Sequence, residues 1–591
     1  MKTLVLTPHA EILPAGGSVV FSGGWCLTPN IKSEVTAREI DARVLPYRWD
    51  DREIYRKDFS YLTSVYEMYL EALSNWLNKQ HGKDFASEYW RILAGPALYT
   101  LLCHLLDRWY IARTILYDDD FERIPCIKFP PFAFTPKLTI DLNPDCHNYN
   151  HYLIHSALIS LGMNRSRIEE VELKDFSNNV NSLRSSSLGL KCKQFVQSLP
   201  RHVLSALRLT KVSRIVILNS YLPRVYDLAL KALCFSLPVK VQFQIPANSL
   251  INASQRGVCQ LDVNQDDSFC QFVSSILPEL IPTYLLEDYK HLAPCWVSAG
   301  LPPSPRTIFT SNAFQFNEVF QHYMATQRVN YGTRLVVGQH GGVSGIMKWS
   351  FGTDHQVQIA DKYISWGWES SDSRVVRGVV LTNFGKKIKN SQNGSMLLTT
   401  VPMRRYSHKG GAWPVGPTQS EAFLADQLNF CEYLHHEISE KLVLRIFEKQ
   451  DRRFGSEYVT TWKKKFPKIN VDDSLLPIQA ALRRSRLFVY TYNSTGYLES
   501  LAMNFPTVLF WDVALFESND KFAMALGELE RVGIFHHTPK SAAEHINRIW
   551  DNVNQWWFSS DVQNAINIFI DQFARPPKVR DLFLIRKILV H

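Results

Sequence analysis

Short apolar runs, many of them rich in β-branched residues, alternate along the chain with longer stretches of helical periodicity. Several runs are apolar at consecutive positions, which is typical of parallel strands that helices cover on both faces. The pattern predicts strands at Thr3–Thr7, Arg214–Leu218, Val239–Phe243, Thr307–Thr310, Arg334–Val337, Tyr363–Trp366, Met396–Thr399, Val443–Phe447, Leu487–Tyr490 and Thr507–Phe510. Such alternation over hundreds of residues predicts an α/β protein with doubly wound sheets.

The domain organisation follows from two breaks in this pattern. Apolar residues recur at spacings of three and four through residues 50–117, which predicts a helical insertion. The polar stretch Lys386–Ser395 precedes a new strand and marks the main boundary. We therefore predict two Rossmann-like domains, residues 1–385 and 386–560, that face each other across a cleft, followed by closing helices at 561–591.

Composition and charge narrow the class of protein. Of the 591 residues, 46% are hydrophobic and 20% charged, as expected of a folded protein with at least two domains. The net charge of +9 comes without a nucleic-acid-binding motif, so it fits anionic small substrates or an anionic membrane surface better than nucleic acid. The ten cysteines form no C-x-x-C pair, and the longest apolar run is too short to cross a bilayer. Both features indicate a cytoplasmic protein whose membrane contact, if any, is peripheral.

A His-Gly-Gly turn follows the predicted strand Arg334–Val337. Gln339, His340, Gly341 and Gly342 stand at its end. Glycine lets a backbone approach a ligand closely and turn its amides toward an anion. A histidine there has a pKa suited to taking a proton from an acceptor hydroxyl, which makes His340 a candidate catalytic base. A structural turn with a backbone-bonded histidine explains the same residues equally well.

A loop containing glycine and serine comes next in the sequence. It carries Lys348, Asp354 and His355, and we expect it to fold over the same cleft. Asp354 is a candidate acid/base or orienting carboxylate, and His355 is a candidate assisting group. A solvated loop aspartate is the alternative interpretation of Asp354.

A second turn motif lies in the C-terminal domain, after the predicted strand Leu487–Tyr490. Asn493, Ser494 and Thr495 form a small polar turn before a helix, whose first amides suit a phosphate or pyrophosphate. Glu499 is placed one turn later to accept hydrogen bonds from a ribose or sugar hydroxyl. The alternative is an ordinary capped helix with a solvated glutamate.

Two arginines are further candidates for phosphate binding. Arg445 lies inside a strand that is otherwise apolar, and a buried arginine needs a carboxylate or a phosphate as partner. An internal ion pair and a substrate phosphate are equally good partners for it. Arg404 follows the first strand of the C-terminal domain, where it is placed either to bind a diphosphate or to be solvated.

Acidic and histidine-rich segments in the N-terminal domain have simpler interpretations. Asp50 and Asp51 are candidates to bind acceptor hydroxyls in the cleft, although a helix start, where they complement the helix dipole, is the interpretation we favour. His147, His151 and His155 share a helix face, but no cysteine or carboxylate completes a metal-binding spacing. We therefore expect neither a metal nor a cofactor.

Long motifs in a consistent order resemble a family of transferases found in bacterial surface-polysaccharide gene clusters. They are Gly23–Cys26, Leu45–Arg52, Tyr89–Pro96, Asp107–Trp109, Asn150–His151, Ser220–Pro223, Thr310–Asn312, Gln339–Gly342, Lys348–Trp349, Asp354–His355, Ser365–Trp368, Met403–Arg404, Arg445, Thr491–Thr495, Leu498–Ser500 and Gly533–His536. The chain departs from that family at Gly24, where an acidic residue is usual, and at Thr382, where glycine is usual.

The resemblance implies a GT-B-like enzyme. The leading hypothesis is a glycosyltransferase with a nucleotide sugar as donor, which needs no metal if arginines and helix-terminal amides neutralise the leaving phosphate. More distant similarity to transferases of CMP-linked acidic sugars such as Kdo or nonulosonic acids, or of CDP-alditols, implies an acid/base role for His340 and phosphate binding at Ser494 and Thr495. The expected acceptor is a lipid-linked or oligosaccharide precursor of O-antigen or capsule at the inner membrane. A CDP-alditol phosphotransferase and a non-catalytic scaffold of a polysaccharide complex are the alternatives.

Overall fold

The protein is described here by a computed structural model that covers the chain apart from residues 1, 119, 173–213, 237–244, 246–249, 258, 260, 265, 409, 447–454 and 473–475. The predicted strand Val239–Phe243 lies outside the described residues. The described strands pair in parallel and form sheets. The predicted α/β class, with parallel sheets in two domains, is thereby confirmed.

Five strands at the start of the chain form the first sheet. They are β1 (Lys2–Val5), β2 (Ser18–Phe21), β3 (Asp41–Val44), β4 (Ile124–Ile127) and β5 (Ile168–Val171). Strands β1, β2 and β3 pair in that order, and β4 pairs with β5. A parallel bridge between Thr3 and Arg123, in which the amide of Leu4 donates to the carbonyl of Arg123 at 2.9 Å, joins β1 to the residue just before β4, so that the combined order is β3-β2-β1-β4-β5. The chain therefore reverses its direction of winding between β1 and β4.

The helical segment predicted near residues 50–117 separates β3 from β4. Its helices, with the others that pack on the first sheet, are α1 (Pro29–Ala37), α2 (Arg52–His81), α3 (Ser87–Leu93), α4 (Gly95–Tyr117) and α5 (His147–Ser160). Seventeen of the 23 residues of α4 are buried, because α2, α3 and α5 pack against it and Ser407 and Gly410 hydrogen-bond to its side chains. An apolar helix of this kind anchors a core rather than a surface.

The second sheet has the strand order β10-β9-β8-β7-β6. Its strands are β6 (Ile215–Leu218), β7 (Thr307–Thr310), β8 (Arg334–Gly338), β9 (Lys362–Ile364) and β10 (Val375–Val376). The helices described in this region are α6 (Arg224–Leu233), α7 (Ala253–Gly257), α8 (Ser268–Leu280), α9 (Tyr289–Ser298), α10 (Ala313–Phe316), α11 (Glu318–Tyr331) and α12 (Phe351–Gln358). The range 1–385, predicted as one domain, thus contains two sheets, and one continuous apolar core joins them.

The third sheet has the strand order β13-β12-β11-β14-β15-β16. Its strands are β11 (Ser395–Thr400), β12 (Leu442–Ile446), β13 (Asn470–Val471), β14 (Ser485–Tyr490), β15 (Thr507–Phe510) and β16 (Phe535–His536). The helices described here are α13 (Pro417–Tyr433), α14 (His436–Ser439), α15 (Gly455–Lys465), α16 (Ile478–Leu482), α17 (Thr495–Ala502), α18 (Asp520–Arg531), α19 (Pro539–Ile549), α20 (Val553–Trp557), α21 (Ser560–Phe573) and α22 (Asp581–Val590). Apolar residues on both faces of β11 and β14 explain why these strands are central.

The last helix returns to the second sheet. Leu582, Ile585 and Leu589 of α22 are buried in one cluster with Ile217 of β6 and Phe309 of β7. The chain therefore crosses between the second and third sheets twice, which ties them together on either side of the cleft. In the part of the chain that is described, no helix is both long and apolar enough to cross a membrane.

Candidate functional site

The strand order of the third sheet identifies a crevice. The sheet is wound in one direction from β11 through β12 to β13 and in the other from β14 through β15 to β16. In open α/β sheets, ligands bind outside the carboxyl ends of the strands at such a reversal. Thr399 and Thr400 end β11, and the turn Thr491–Ser494 follows β14, so both C-terminal segments singled out by the sequence flank this crevice.

Helix α17 begins at the crevice with its positive end. Ser494, the residue before the helix, has extended backbone angles and makes no side-chain capping bond. The amide of Gly496 donates to the hydroxyl of Tyr490 at 3.2 Å. Backbone amides at a helix N-terminus, together with the helix dipole, favour a negatively charged ligand.

Two buried polar atoms at the same crevice have no partner among the described residues. The Asn493 side-chain oxygen accepts a hydrogen bond from the Tyr497 hydroxyl at 2.8 Å, but the Asn493 Nδ2 atom is buried without an acceptor. The Oγ1 atom of Thr399 is likewise buried without a partner. Unsatisfied buried polar groups are costly, and a bound ligand is one way to satisfy them.

The His-Gly-Gly turn is held by a buried glutamine. Gln339 accepts hydrogen bonds at its side-chain oxygen from the Trp366 amide and the Trp368 indole, both at 2.8 Å, and donates to the carbonyl of Gly341 at 2.8 Å. Gln339 is fully buried and its amide group is occupied by these contacts. The Gln339 side chain thus positions the turn from within the core, and acceptor binding by Gln339 stays a prediction.

This turn rests directly on the start of α17. The amide of Gly342 donates to the Thr495 hydroxyl at 3.0 Å, across a separation of 153 residues. A Cβ atom built on Gly342 would lie 2.5 Å from the carbonyl oxygen of Ser494, so the two backbones touch at this point. The structure thus brings together the two motifs that the sequence analysis placed in different domains.

His340 lies beside this contact, on the side of the second sheet. Its ring packs edge-on against Tyr221, with centroids 5.7 Å apart, and against Phe314 at 6.0 Å. The Asn312 side chain donates to the Tyr221 hydroxyl at 3.1 Å. Tyr221 and Asn312 follow β6 and β7, so three strand ends of the second sheet meet here; the sequence analysis had noted their segments without assigning them a role.

Glu499 lies where α17 meets the linker between the two sheets. Its carboxylate accepts a hydrogen bond from the Thr382 hydroxyl at 2.5 Å, and its backbone carbonyl accepts one from Asn383 at 2.9 Å. Burial raises the pKa of Glu499, an effect that Thr382 and the positive charge of Lys386 oppose. Burial raises the pKa of Tyr221, and the nearby Glu499 adds to this effect.

The three candidates on the loop after the His-Gly-Gly turn occupy different environments. Lys348 is exposed, and its backbone amide donates to the carbonyl of Glu517. Asp354 remains accessible to solvent, although the surrounding protein desolvates it enough to raise its pKa to about 6. His355 is buried between Phe351 and the start of α4, and burial lowers its pKa to about 3. Both ring nitrogens of His355 are buried without a hydrogen-bond partner among the described residues, and its assisting role in catalysis stays a prediction.

Replacing Asp354 with asparagine is expected to change how stability depends on pH. Because the folded protein holds the proton up to about pH 6, whereas an unfolded aspartate releases it near pH 4, the wild type loses stability as the pH rises between these values. Asp354→Asn removes this loss, so its free energy of unfolding relative to wild type increases from pH 4 to pH 6 and then stays constant. Urea denaturation across this range measures the difference.

Asp372→Asn is the control of opposite sign. Arg374 lowers the pKa of Asp372, so this variant loses its relative stability as the pH rises through the acid range. A pH-independent difference between Asp354→Asn and wild type would show that Asp354 is fully solvated.

The arginine candidates both form ion pairs. Arg445 donates to Asp472 at 2.6 Å and to the carbonyl of Leu476 at 2.7 Å. Of the two partners considered for Arg445, the structure shows the internal carboxylate. Arg404 donates to Asp145, at the foot of α5, at 2.6 Å. Arg404 therefore points toward the first sheet, and phosphate binding by either arginine stays a prediction.

The segment around Asp50 and Asp51 contributes to the helix start and to the domain interface. Asp51 caps α2 by accepting hydrogen bonds from two amides of its first turn, which is the interpretation the sequence favoured. Asp50 is exposed and accepts a hydrogen bond from Gln419 of α13 at 3.3 Å. Acceptor binding by this pair remains a prediction, and capping is the role that the contacts account for.

The described residues contain no group of three or more histidines, cysteines or carboxylates arranged to hold a metal ion. His151 is fixed by two hydrogen bonds: its Nε2 atom accepts from the amide of Ile127 at 3.0 Å, and its Nδ1 atom lies 2.8 Å from the Thr7 hydroxyl. Both ring nitrogens are therefore occupied by protein groups. The shared helix face of the three histidines serves packing in this part of the chain.

Parallel sheets with a helix that begins, without a side-chain cap, at a reversal of strand order define an α/β protein of the doubly wound type. Residues 2–587 match the family described as LIC12162 family transferase, and the chain belongs to that family. No curated protein matches the chain.

Among solved structures, the chain is similar to MurG of Acinetobacter baumannii, with 11% identity over 66% of this chain and 96% of that chain and a TM-score of 0.29. It is similar to WaaG, a glycosyltransferase involved in lipopolysaccharide biosynthesis, with 10% identity, coverage of 64% and 99%, and a TM-score of 0.29. An α,α-trehalose 6-phosphate synthase from Burkholderia multivorans matches with 13% identity, coverage of 51% and 76%, and a TM-score of 0.28. These TM-scores are too low to assign the overall fold from the comparisons alone.

Proposed function

We propose that this transferase is a GT-B-like glycosyltransferase that moves a sugar from a nucleotide donor to a glycan acceptor. The observation that carries the proposal is the contact between the Gly342 amide and the Thr495 hydroxyl. This contact supports the proposal because Gly342 stands two residues after the candidate base His340, and Thr495 is the first residue of α17. A sugar bonded to a phosphate at α17 would thus lie within the same cleft as His340.

The donor would be bound by the crevice of the third sheet. The amides that open α17 and the unpaired Nδ2 atom of Asn493 supply hydrogen-bond donors for the diphosphate or phosphate. Glu499 supplies a carboxylate for ribose hydroxyls, because its Oε1 atom is already positioned by Thr382. Donor groups fixed in this way stabilise the negative charge that develops on the leaving nucleotide, without a metal.

The acceptor would approach from the second sheet. His340 takes the proton of the attacking hydroxyl, the new glycosidic bond forms at the anomeric carbon, and the bond from that carbon to the nucleotide phosphate breaks. Asp354, accessible and with a pKa near 6, is the second group able to accept or orient a proton. The preferred donor is a CMP-linked acidic sugar, and the preferred setting is O-antigen or capsule assembly at the cytoplasmic face of the inner membrane.

A thermal-shift series with CMP, CDP, UDP, GDP and dTDP tests the donor site. One nucleotide is expected to stabilise the protein by about 2.7 kcal/mol at a hundredfold excess over its Kd. Asn493→Ala is expected to weaken this stabilisation, whereas Asn567→Ala, at an exposed position of α21, should leave it unchanged. If none of the five nucleotides stabilises the protein, the proposed donor class is wrong.

Product analysis with radiolabelled donors then separates the remaining alternatives. Transfer of the sugar alone supports the glycosyltransferase, and transfer of an alditol phosphate identifies a CDP-alditol phosphotransferase. Nucleotide binding with neither transfer nor donor hydrolysis would identify a scaffold protein.

A further inference from the structure

Helices α6 and α22 lie side by side on the second sheet. Leu230 of α6 and Ile585 of α22 are buried in one apolar cluster with Ile217 of β6. The Arg586 side chain of α22 donates to the carbonyl of Leu233, the last residue of α6, at 2.9 Å. The two helices therefore form one layer, whose outer side faces away from the sheet.

The outer side of this layer carries large apolar side chains. Leu228 and Phe583 are each more than half exposed, and each stands two residues before a buried residue of its helix, Leu230 or Ile585. Residues two apart on a helix point in nearly opposite directions, so both side chains point away from the sheet. Three more side chains beside them are also more than half exposed, namely Val225, Phe235 and Val579. Single exposed apolar residues are ordinary, but a group on neighbouring helices marks an interaction surface.

Basic residues border these apolar side chains. The segments 221–236 and 575–591 contain seven lysines and arginines but only two aspartates. Four of the basic residues are exposed, namely Arg224, Lys578, Arg580 and Lys587. The two aspartates are occupied elsewhere, since Asp227 pairs with Lys231 at 2.7 Å and the buried Asp581 accepts from the amide of Lys578 at 2.7 Å. The outer surface of α6 and α22, formed by the five apolar and four basic residues, is therefore positively charged.

The combination of charges and apolar groups distinguishes between possible partners. Nucleic acid would match the basic residues but would leave Phe235 and Phe583 in water. In a symmetric contact with a second copy of this chain, the same basic residues would face one another, which is unfavourable. A bilayer that contains anionic lipids matches both features, because apolar side chains enter the boundary between headgroups and acyl chains while lysine and arginine bind lipid phosphates.

We propose that the outer surface of α6 and α22 docks on an anionic lipid bilayer. Helix α6 begins three residues after Tyr221, whose ring packs against His340 with centroids 5.7 Å apart. Docking through this surface would therefore hold the proposed acceptor side of the cleft close to the membrane, within reach of a lipid-linked acceptor. The nature of that acceptor rests on the proposed function, whereas binding to lipid requires neither donor nor acceptor.

Co-sedimentation of the whole chain with lipid vesicles tests this surface. Vesicles of phosphatidylcholine alone are compared with vesicles of phosphatidylcholine and phosphatidylglycerol in equal amounts. The protein should bind the anionic vesicles more tightly, and salt should weaken this binding, because the screening length falls from about 10 Å at 0.1 M to about 3 Å at 1 M. Phe583→Ser should lower the partition coefficient about tenfold. Lys587→Gln should lower it about fivefold, the effect of one basic residue near an anionic surface.

Matched controls come from the C-terminal half of the chain. The exposed fraction of Phe558 is 55%, against 57% for Phe583, and Phe558 follows α20 on the third sheet. Lys468, just before β13, is exposed as Lys587 is. Phe558→Ser and Lys468→Gln should therefore bind vesicles as the wild type does, and thermal melts verify that all four variants are folded.

The outcomes separate this proposal from the proposed function. Equal binding to both kinds of vesicle, binding to neither, or equal losses in the test and control variants would overturn the docking surface. A concentration-dependent dimer that Phe583→Ser dissociates, without vesicle binding, would also overturn it and identify a second copy as the partner. If the anionic vesicles bind as expected while no nucleotide stabilises the protein, the docking surface stands and the proposed donor site fails.

Discussion

The variant His340→Ala is expected to lower the kcat of transfer by about 10²- to 10⁴-fold, the range typical of losing a general base. His340 follows β8 and lies beside the contact between Gly342 and Thr495, where the acceptor hydroxyl would meet the donor. The side chain makes ring contacts with Tyr221 and Phe314 rather than filling a core position of its own. Nucleotide-dependent stabilisation should therefore survive the substitution, and steady-state kinetics with labelled donor measure the loss.

An exposed histidine outside the proposed site provides the control for His340→Ala. The His436 side chain is 84% exposed and its Nε2 atom lies 3.9 Å from Glu440, so His436→Ala should retain the wild-type kcat. The acid limb of the pH profile supplies a second readout, since it should disappear in His340→Ala together with the base. Wild-type kcat in a correctly folded His340→Ala protein would contradict the assignment and leave Asp354 as the base.

Much of the third sheet was predictable because its strands are apolar on both faces. Thr507–Phe510 was predicted at the observed bounds, and Leu487–Tyr490 lies within the observed strand Ser485–Tyr490. The polar turns that follow such strands stand out against them, and for this reason the sequence makes Asn493, and His340 after a similar strand of the second sheet, candidates for the site. Parallel strands place their carboxyl ends at one edge of the sheet, so local pattern and global position agree here.

Of the first sheet only β1 was predicted, as Thr3–Thr7, and the other strands were missed for an equally physical reason. All four residues of Asp41–Val44 are exposed, so β3 has neither alternation nor an apolar run. The strand Ser18–Phe21 is only four residues long and follows two glycines. Edge and short strands are held by their neighbours, and propensity does not reveal them.

The hydrogen-bond and ion-pair partners of charged and polar side chains also could not be predicted from the sequence. Arg404 and Asp145 are separated by 259 residues, and the pairing of Arg445 with Asp472 had an equally plausible alternative. Gln339 looked like a ligand-binding residue, but two tryptophans that follow β9 occupy its amide group. Which partner a polar group finds is decided by the packing of distant elements, since burial without any partner is costly.

Gly342→Ala is the substitution with the most specific expected effect. An added Cβ atom would come within 2.5 Å of the Ser494 carbonyl oxygen and 2.8 Å of a Leu498 methyl group. Because the first of these is backbone, the His-Gly-Gly turn must move away from α17, at a cost of about 1–3 kcal/mol. The free energy of unfolding and the kcat should both fall, and chemical denaturation and steady-state kinetics measure them.

The neighbouring glycine provides the matched control within the same turn. A Cβ atom on Gly341 would meet only the Thr495 hydroxyl, at the ordinary contact distance of 3.7 Å, so Gly341→Ala should retain stability and most activity. A difference between two adjacent Gly→Ala substitutions would locate the effect at the junction of the second and third sheets rather than in the turn's own flexibility. Equal behaviour of the two variants would mean that the turn and α17 are apart in the working protein, and the proposed site between them would then be wrong.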